Sequence, residues 1–179
     1  MAAAVAWATV SSPLGDLGCA VTAAGVVALD LPGEDAPATR RRLLRAFDGD
    51  VAEDEAAVAP LAAELQAYFA GRLEAFATPV DWTLSTGFDR DVLQALAAVP
   101  YGVTISYGEL AARVGDRGAA RAVGRSLATN PVPIVVPCHR VIGADRSLTG
   151  FGGGVARIEQ KASLLAVEGA ILSLAPNTL

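Results

Sequence analysis

Histidine is almost missing from this 179-residue chain, in which His139 stands alone, and cysteine is nearly as scarce, with only Cys19 and Cys138. No C-x-x-C pair occurs. One imidazole and two distant thiols cannot assemble a local ligand set of the structural-zinc kind. Two cysteines without disulfide-type spacing fit a reducing compartment. No run approaches the ~20 apolar residues of a transmembrane helix; the hydrophobic fraction of 53% is inflated by alanine and signals helix-rich packing. The opening Met1-Ala-Ala-Ala-Val-Ala-Trp7 lacks the positive residues of a secretory signal. These absences predict a cytoplasmic protein without a membrane partner or a metal. Its length suits one compact domain or two small ones.

What is present concentrates in one place. The sole histidine directly follows a cysteine in Asn130-Pro-Val-Pro-Ile-Val-Val-Pro-Cys-His-Arg-Val-Ile-Gly143. A thiol is a strong nucleophile at neutral pH only as thiolate, and a base or cation beside it favours that form. Cys138 is therefore a candidate nucleophile. The competing reading is a small buried hydrophobe after Ile134-Val135-Val136. Neighbouring side chains on a strand point to opposite faces, so adjacency in sequence does not guarantee contact.

Charge is divided along the chain. The net charge of −5 argues against a nucleic-acid partner. Residues 1–100 hold 6 Arg/Lys against 14 Asp/Glu, whereas residues 101–179 hold 8 against 5. Phosphate contacts are local, so the basic half can bind DNA despite the acidic one.

The first thirty residues read as an antiparallel meander. Val5–Val10, Leu17–Thr22 and Val26–Leu31 are separated by turn-forming residues. Helical spacing follows over Pro37–Phe47 and Ala57–Ala70, with Leu61, Leu65, Tyr68 and Phe69 on one face. The acidic stretch Asp48–Glu55 reads as a solvated loop, Val80–Leu84 as a further strand, and Ser85-Thr86-Gly87 as a joint between domains. Phe88–Val99 then forms a helix presenting Phe88, Val92, Leu96 and Val99. Ser106 N-caps a short helix through Arg113, and a second runs from Gly118 to Ala128. The pair is a helix-turn-helix pattern or an ordinary helical hairpin. Arg113, Arg117, Arg121 and Arg125 recur every four residues through it, with only Asp116 intervening, which weakens the second reading. The glycine-rich 143–154 segment serves close backbone approach to a ligand or acts as a flexible tether. A last helix, Val155–Val167, buries Leu164, Leu165 and Ala166, and the tail 171–179 carries little signal.

Five blocks, in order, resemble the O6-alkylguanine-DNA alkyltransferases: Val99-Pro-Tyr-Gly-Val-Thr-Ile-Ser-Tyr-Gly-Glu-Leu-Ala111, Ala119-Ala-Arg-Ala-Val-Gly124, the 130–143 run, Gly150-Phe-Gly-Gly-Gly154 and Leu164-Leu-Ala-Val-Glu-Gly169. The resemblance implies an α/β (α+β) chain. An N-terminal ribonuclease-H-like domain over 1–85, an antiparallel sheet with helices, would precede a mainly helical, winged helix-turn-helix-like domain over 86–170 that binds DNA and transfers alkyl groups. The tail 171–179 would follow.

It also implies a role for each matching residue. Cys138 would accept the alkyl group once and not be regenerated, with His139 as base through a water and Glu168 orienting it. Tyr107 would donate to guanine N3, and Asn130 would brace the turn before the active-site strand. Arg121 would fill the stack left by a flipped nucleotide. Ala119, Ala120, Ala122 and Gly124 would allow close docking in the minor groove, with Ser106, Tyr107 and Arg125 also on the DNA. Val141, Phe151, Gly152, Gly153 and Leu127 would line the base pocket, where the carbonyls of Cys138 and Val141 would read the exocyclic amine and the Gly152 amide would face O6. The implied partner is duplex DNA carrying O6-alkylguanine, and O4-alkylthymine as a further lesion. The protein would be a monomer, with cooperative assembly on DNA left open, and would need no cofactor.

The chain departs from the family pattern at Phe151, where tyrosine is frequent, and at Leu93, where many relatives carry tryptophan. The zinc of some relatives does not carry over to a chain with one histidine. Cys19 reads as structural. Two other classes compete: a lesion-binding protein without chemistry, disfavoured by Cys138, and a thiol hydrolase, disfavoured by the adjacent Cys-His order and the arginine-bearing helices.

Overall fold

The computed structural model describes residues 4–148 and 155–170, with the backbone alone for 155 and 156. The chain divides into two compact units, one of Met1–Thr86 with Pro131–Val135, the other of Gly87–Asn130 with Val136–Leu179.

The first unit is built on a four-stranded sheet. β1 (Val5–Ser12), β2 (Gly15–Thr22) and β3 (Gly25–Asp30) form the meander that alternating apolar residues and tight turns dictate. Both pairings are antiparallel, with a register shift at Ala20/Val21. Gly25 is required at its turn: its φ is 134°, and a Cβ there would sit 2.0 Å from the Pro79 carbonyl oxygen. α1 (Ala36–Ala46) is N-capped by Asp35, whose carboxylate accepts from the Ala38 amide. Its Leu43 joins Val5, Ala20, Val27 and Ala28 in a buried cluster. α2 (Glu55–Phe69), capped by Asp54, buries Val58, Leu61, Leu65 and Tyr68 and packs along β1.

Two expectations fail in this unit. The acidic segment is not wholly a loop, because Val51–Glu53 forms β4, pairing in parallel with β1 at the sheet edge. Three residues satisfy their backbone there while the acidic side chains face water. The sheet is therefore antiparallel over its three long strands only. Val80 makes a single bridge to Val26, after which Trp82–Leu84 is a 3-10 turn. Asp81 accepts from the Thr83 amide at 2.9 Å, a side-chain cap that diverts the chain from a ladder.

The second unit packs short helices. α3 (Gly87–Ala97) buries Val92, Leu93 and Leu96. Phe88, expected beside them, is exposed. Steps of four residues drift about 40° each on a helix, which carries Phe88 to the rim of the face that Val92, Leu93 and Leu96 define. β5 (Ile105–Ser106) leads into α4 (Tyr107–Arg113), where Ser106 and Glu109 form a reciprocal capping box. α5 (Ala120–Ala128) packs against both α3 and α4 and buries Val123, Ser126 and Leu127. β6 (Val141–Ile142) pairs in parallel with β5. α6 (Val155–Val167) closes the described unit. Ala166 is exposed there, contrary to expectation. Lys161, Leu164, Leu165 and Glu168 are the buried set, at i, i+3, i+4 and i+7, and Ala166 falls opposite them. Among the described residues no helix is long and apolar enough to cross a membrane.

Candidate active site

The run before Cys138 contains prolines at 131, 133 and 137. Proline donates no amide hydrogen, so such a run cannot join a ladder. The expected strand is accordingly absent: residues 131–137 turn, Cys138–Arg140 form a single 3-10 turn, and only Val141 and Ile142 pair as strand. Asn130 donates from Nδ2 to the Val136 carbonyl at 2.9 Å, tying the two ends of the excursion together. Within it, Ile134 is held at φ 74° although β-branched, and is almost wholly buried. Such backbone costs on the order of 1–3 kcal/mol and persists only where surrounding structure imposes it.

The 3-10 turn removes the objection that a strand would raise. Cys138, His139 and Arg140 are all buried, and His139 has no exposed surface. His139 Nε2 lies 2.7 Å from Glu168 Oε1. Arg140 grips the same carboxylate, donating from Nε to Oε2 and from Nη2 to Oε1, each at 2.9 Å. The Gly102 amide donates to Oε2 at 3.1 Å, and Tyr101 donates its hydroxyl to the Val167 carbonyl at 2.9 Å. Four donors thus converge on one carboxylate at the end of α6.

Electrostatics follow from this crowding. Burial alone would raise the Glu168 pKa, but hydrogen bonds from His139 and Arg140 outweigh it and hold the carboxyl well below the usual range. Burial lowers the His139 pKa; Glu168 opposes that shift by hydrogen bond and charge, while Arg140 and Lys161 reinforce it. His139 is therefore a neutral imidazole with Nε2 turned to Glu168, which leaves Nδ1 as the nitrogen able to take a proton. Lys161 is the chain's only lysine and fully buried, donating to the Val141 carbonyl at 2.5 Å. Burial pulls its ammonium down to about 8, and the charge of Cys138 resists that shift.

Tyr107 opens α4 directly after β5, and the β5–β6 ladder sets it near the Cys138 turn. Burial, then the charge of Cys138, raise its phenol pKa, so it stays protonated as a donor. Leu127 and Val141 are buried, and Ser106 is committed to the α4 cap. Ser126 donates to Asp89 Oδ1 at 2.5 Å, anchoring α5 to α3. Arg113, Arg117, Arg121 and Arg125 are exposed, while Ala119, Ala120, Ala122 and Gly124 are partly buried. A Cβ at Gly124 would meet only the Tyr107 ring, at 3.8 Å, so internal packing does not demand glycine there. Phe151, Gly152 and Gly153 lie outside the described residues.

Two buried cations went unassigned in the sequence: Arg140, visible only as part of the Cys-His-Arg motif, and Lys161. A lysine and a glutamate on the same helical face as Leu164 and Leu165 was the available signal.

Comparisons with known proteins agree along the whole described chain. The model of the 6-O-methylguanine DNA methyltransferase ribonuclease-like domain matches residues 5–82, and that of the DNA binding domain residues 87–170. A methylated-DNA–protein-cysteine methyltransferase of Mycobacterium leprae is 50% identical over 115 residues, 64% of this chain and 67% of that protein. One from Salmonella typhimurium is 52% identical over 99 residues, 55% of this chain and 58% of its own length. The crystal structure of Mycobacterium tuberculosis O6-methylguanine methyltransferase is similar with a TM-score of 0.77 and 39% identity, over 92% of each chain. The M. tuberculosis OGT in complex with DNA gives the same TM-score and identity over 91% of this chain and 92% of that one.

Proposed function

The chain belongs to the 6-O-methylguanine DNA methyltransferase family, and from that membership we propose that it repairs DNA by moving the alkyl group of O6-alkylguanine onto Cys138. The activity is that of a methylated-DNA–protein-cysteine methyltransferase. One observation carries the choice of residues: Cys138 directly precedes His139, whose ring is held 2.7 Å from Glu168 in a buried site. Thiol, base and orienting carboxylate then share one environment, the logic of an activated nucleophile.

The chemistry balances as follows. His139 takes the Cys138 proton through a water, and sulfur attacks the alkyl carbon in line. The S–C bond forms as the C–O6 bond breaks, and the electron pair passes into the guanine ring. Tyr107 gives its proton to N3, so the base leaves neutral. Proton exchange between imidazolium and phenolate restores both groups, but the thioether remains. Each molecule reacts once. The carbonyls of Cys138 and Val141 read the exocyclic amine; Leu127, Phe151, Gly152 and Gly153 complete the pocket, and Asn130 keeps the turn in place.

A buried thiol reaches O6 in line only if the nucleotide leaves the stack. Arg121, exposed near the start of α5, is the residue we assign to the vacated space. Ala119, Ala120, Ala122 and Gly124 let α5 approach the minor groove, and Ser106 and Arg125 flank it. Minor-groove docking carries little sequence information, which suits a lesion that occurs in any context. O4-alkylthymine presents a similar alkyl ether and is a second substrate. The protein acts in the cytoplasm as a monomer.

The deciding experiment uses duplex DNA with radiolabelled methyl on guanine O6. One equivalent of label should move to the protein and map to the peptide containing Cys138. No transfer, or more than one equivalent, would overturn the reading.

A further inference from the structure

We propose that Arg140 is a positioning residue of the transfer reaction: it locks the Glu168 carboxylate that orients His139 and limits how far that carboxylate can draw a proton onto the imidazole. The inference rests on the reading of His139 as the base. A buried carboxylate facing only an imidazole favours imidazolium, and an imidazolium cannot accept the thiol proton. Here the carboxylate is already answered. The guanidinium donates to both oxygens of Glu168 at 2.9 Å, in the bidentate fork that only arginine supplies. Its third nitrogen, Nη1, donates to the Val99 carbonyl at 2.5 Å, and Cζ lies 5.8 Å from the centre of the Tyr101 ring. Held from three sides, Arg140 cannot follow His139 if the ring moves. Glu168 keeps its hydrogen bond to His139 Nε2, which fixes the ring, while its charge is shared with a cation.

Among the described residues, the charged groups that act on His139 are Glu168 beyond the end of α6, Lys161 on α6 and Arg140 on its own turn, where Cys138 is its chain neighbour. Lys161 also opposes protonation of the ring, but it bonds the Val141 carbonyl and not Glu168. Among these groups Arg140 both orients the carboxylate and offsets it.

A single histidine makes the test direct, because imidazole NMR of the intact protein reports His139 and nothing else. Titration would be followed for the unsubstituted protein and for Arg140→Met, Arg140→Lys, Glu168→Gln and the double variant Glu168→Gln/Arg140→Met. The pH profile of transfer from free O6-benzylguanine and a thermal melt would accompany each. In Arg140→Met the imidazole should titrate about one pH unit higher, with the acid limb of transfer moving equally, so that the rate at any pH on that limb, below both titration points, falls about tenfold. Arg140→Lys keeps the charge without the fork and should fall between. The double variant, having lost the carboxylate, should return the titration to the unsubstituted value or below. If Arg140→Met does not fold, Arg140→Lys and the double variant carry the same comparison. An imidazole titration unchanged in the arginine variants, with rates that track only melting temperature, would overturn the proposal. Glu168→Gln separates the two readings: if it moves neither titration nor rate, Glu168 drops out of the relay and the proposal loses its premise; if it moves both while the arginine variants do not, only the role of Arg140 fails.

Discussion

The two cysteines lie in two environments that share burial and little else. Cys19 sits in β2, paired with Ala8 and Leu29 in the middle of the sheet, without exposed surface. Burial and then the charge of Asp30 push its thiol up to about 12, so it is inert at any physiological pH. Cys138 is 6% exposed, almost as buried, but stands on a 3-10 turn beside a neutral imidazole and is coupled to the ammonium of Lys161 and the phenol of Tyr107. Burial alone silences a thiol, and the proposed role of Cys138 rests on the imidazole and the ammonium buried near it. The cost falls on the second unit, which must hold His139, Arg140, Lys161 and Glu168 out of water.

The sharpest break of this contrast is to delete each thiol in turn. Cys138→Ala should abolish methyl transfer from duplex DNA while DNA binding persists. Cys19→Ala should transfer a full equivalent of label, with a loss of about 1 kcal/mol in stability. A Cys19→Ala protein that folds but fails to transfer would remove the distinction.

Next in size is the arginine-bearing surface of the second unit. Arg121→Ala should slow repair in duplex DNA by ten- to a hundredfold, roughly the 1.4–2.7 kcal/mol of a lost stacking wedge. Its reaction with free O6-benzylguanine should stay within about twofold. Equal losses on both substrates would place Arg121 in the chemistry and not in extrusion.

The smallest effect is on stability against pH. The His139 pKa is lower in the folded chain than unfolded, so the unfolded chain binds more protons below about pH 6.5. Stability is then fully present above that pH and declines as pH falls through it, by at most about 1.4 kcal/mol per unit. Glu168, whose folded pKa is also depressed, adds a further loss once pH drops below about 4.3. Urea melts of the protein and of His139→Gln between pH 7.5 and 5.0 would read the first component, which should shrink in the variant. Equal slopes in the two would mean that His139 titrates alike folded and unfolded.

Much of this was legible in residue order. Alternation and turn residues marked β1, β2 and β3, Ser106 marked the start of α4, and periodic apolar positions marked α6. Elements that depend on a distant partner were not legible. β4 exists because β1 offers an edge, whereas Trp82–Leu84 turns through a local cap by Asp81 that the apolar pattern of Val80–Leu84 concealed. The Cys138 run looked like a strand from its β-branched residues, yet its prolines excluded a ladder, and turn chemistry outweighed propensity there.

By itself the sequence determined the chemistry on offer: one imidazole, placed beside one thiol, with a glutamate thirty residues on and arginines spaced along a helix pair. Only the tertiary structure decided which of those groups are charged. Ionisation depends on burial and on partners within a few ångströms, and these come from chain segments far apart in sequence. Arg140 reaching Glu168, Gly102 donating to the same carboxylate and Lys161 turning inward to Val141 are such contacts. Local residue order cannot express them, because they arise when α6 folds back onto the Cys138 turn.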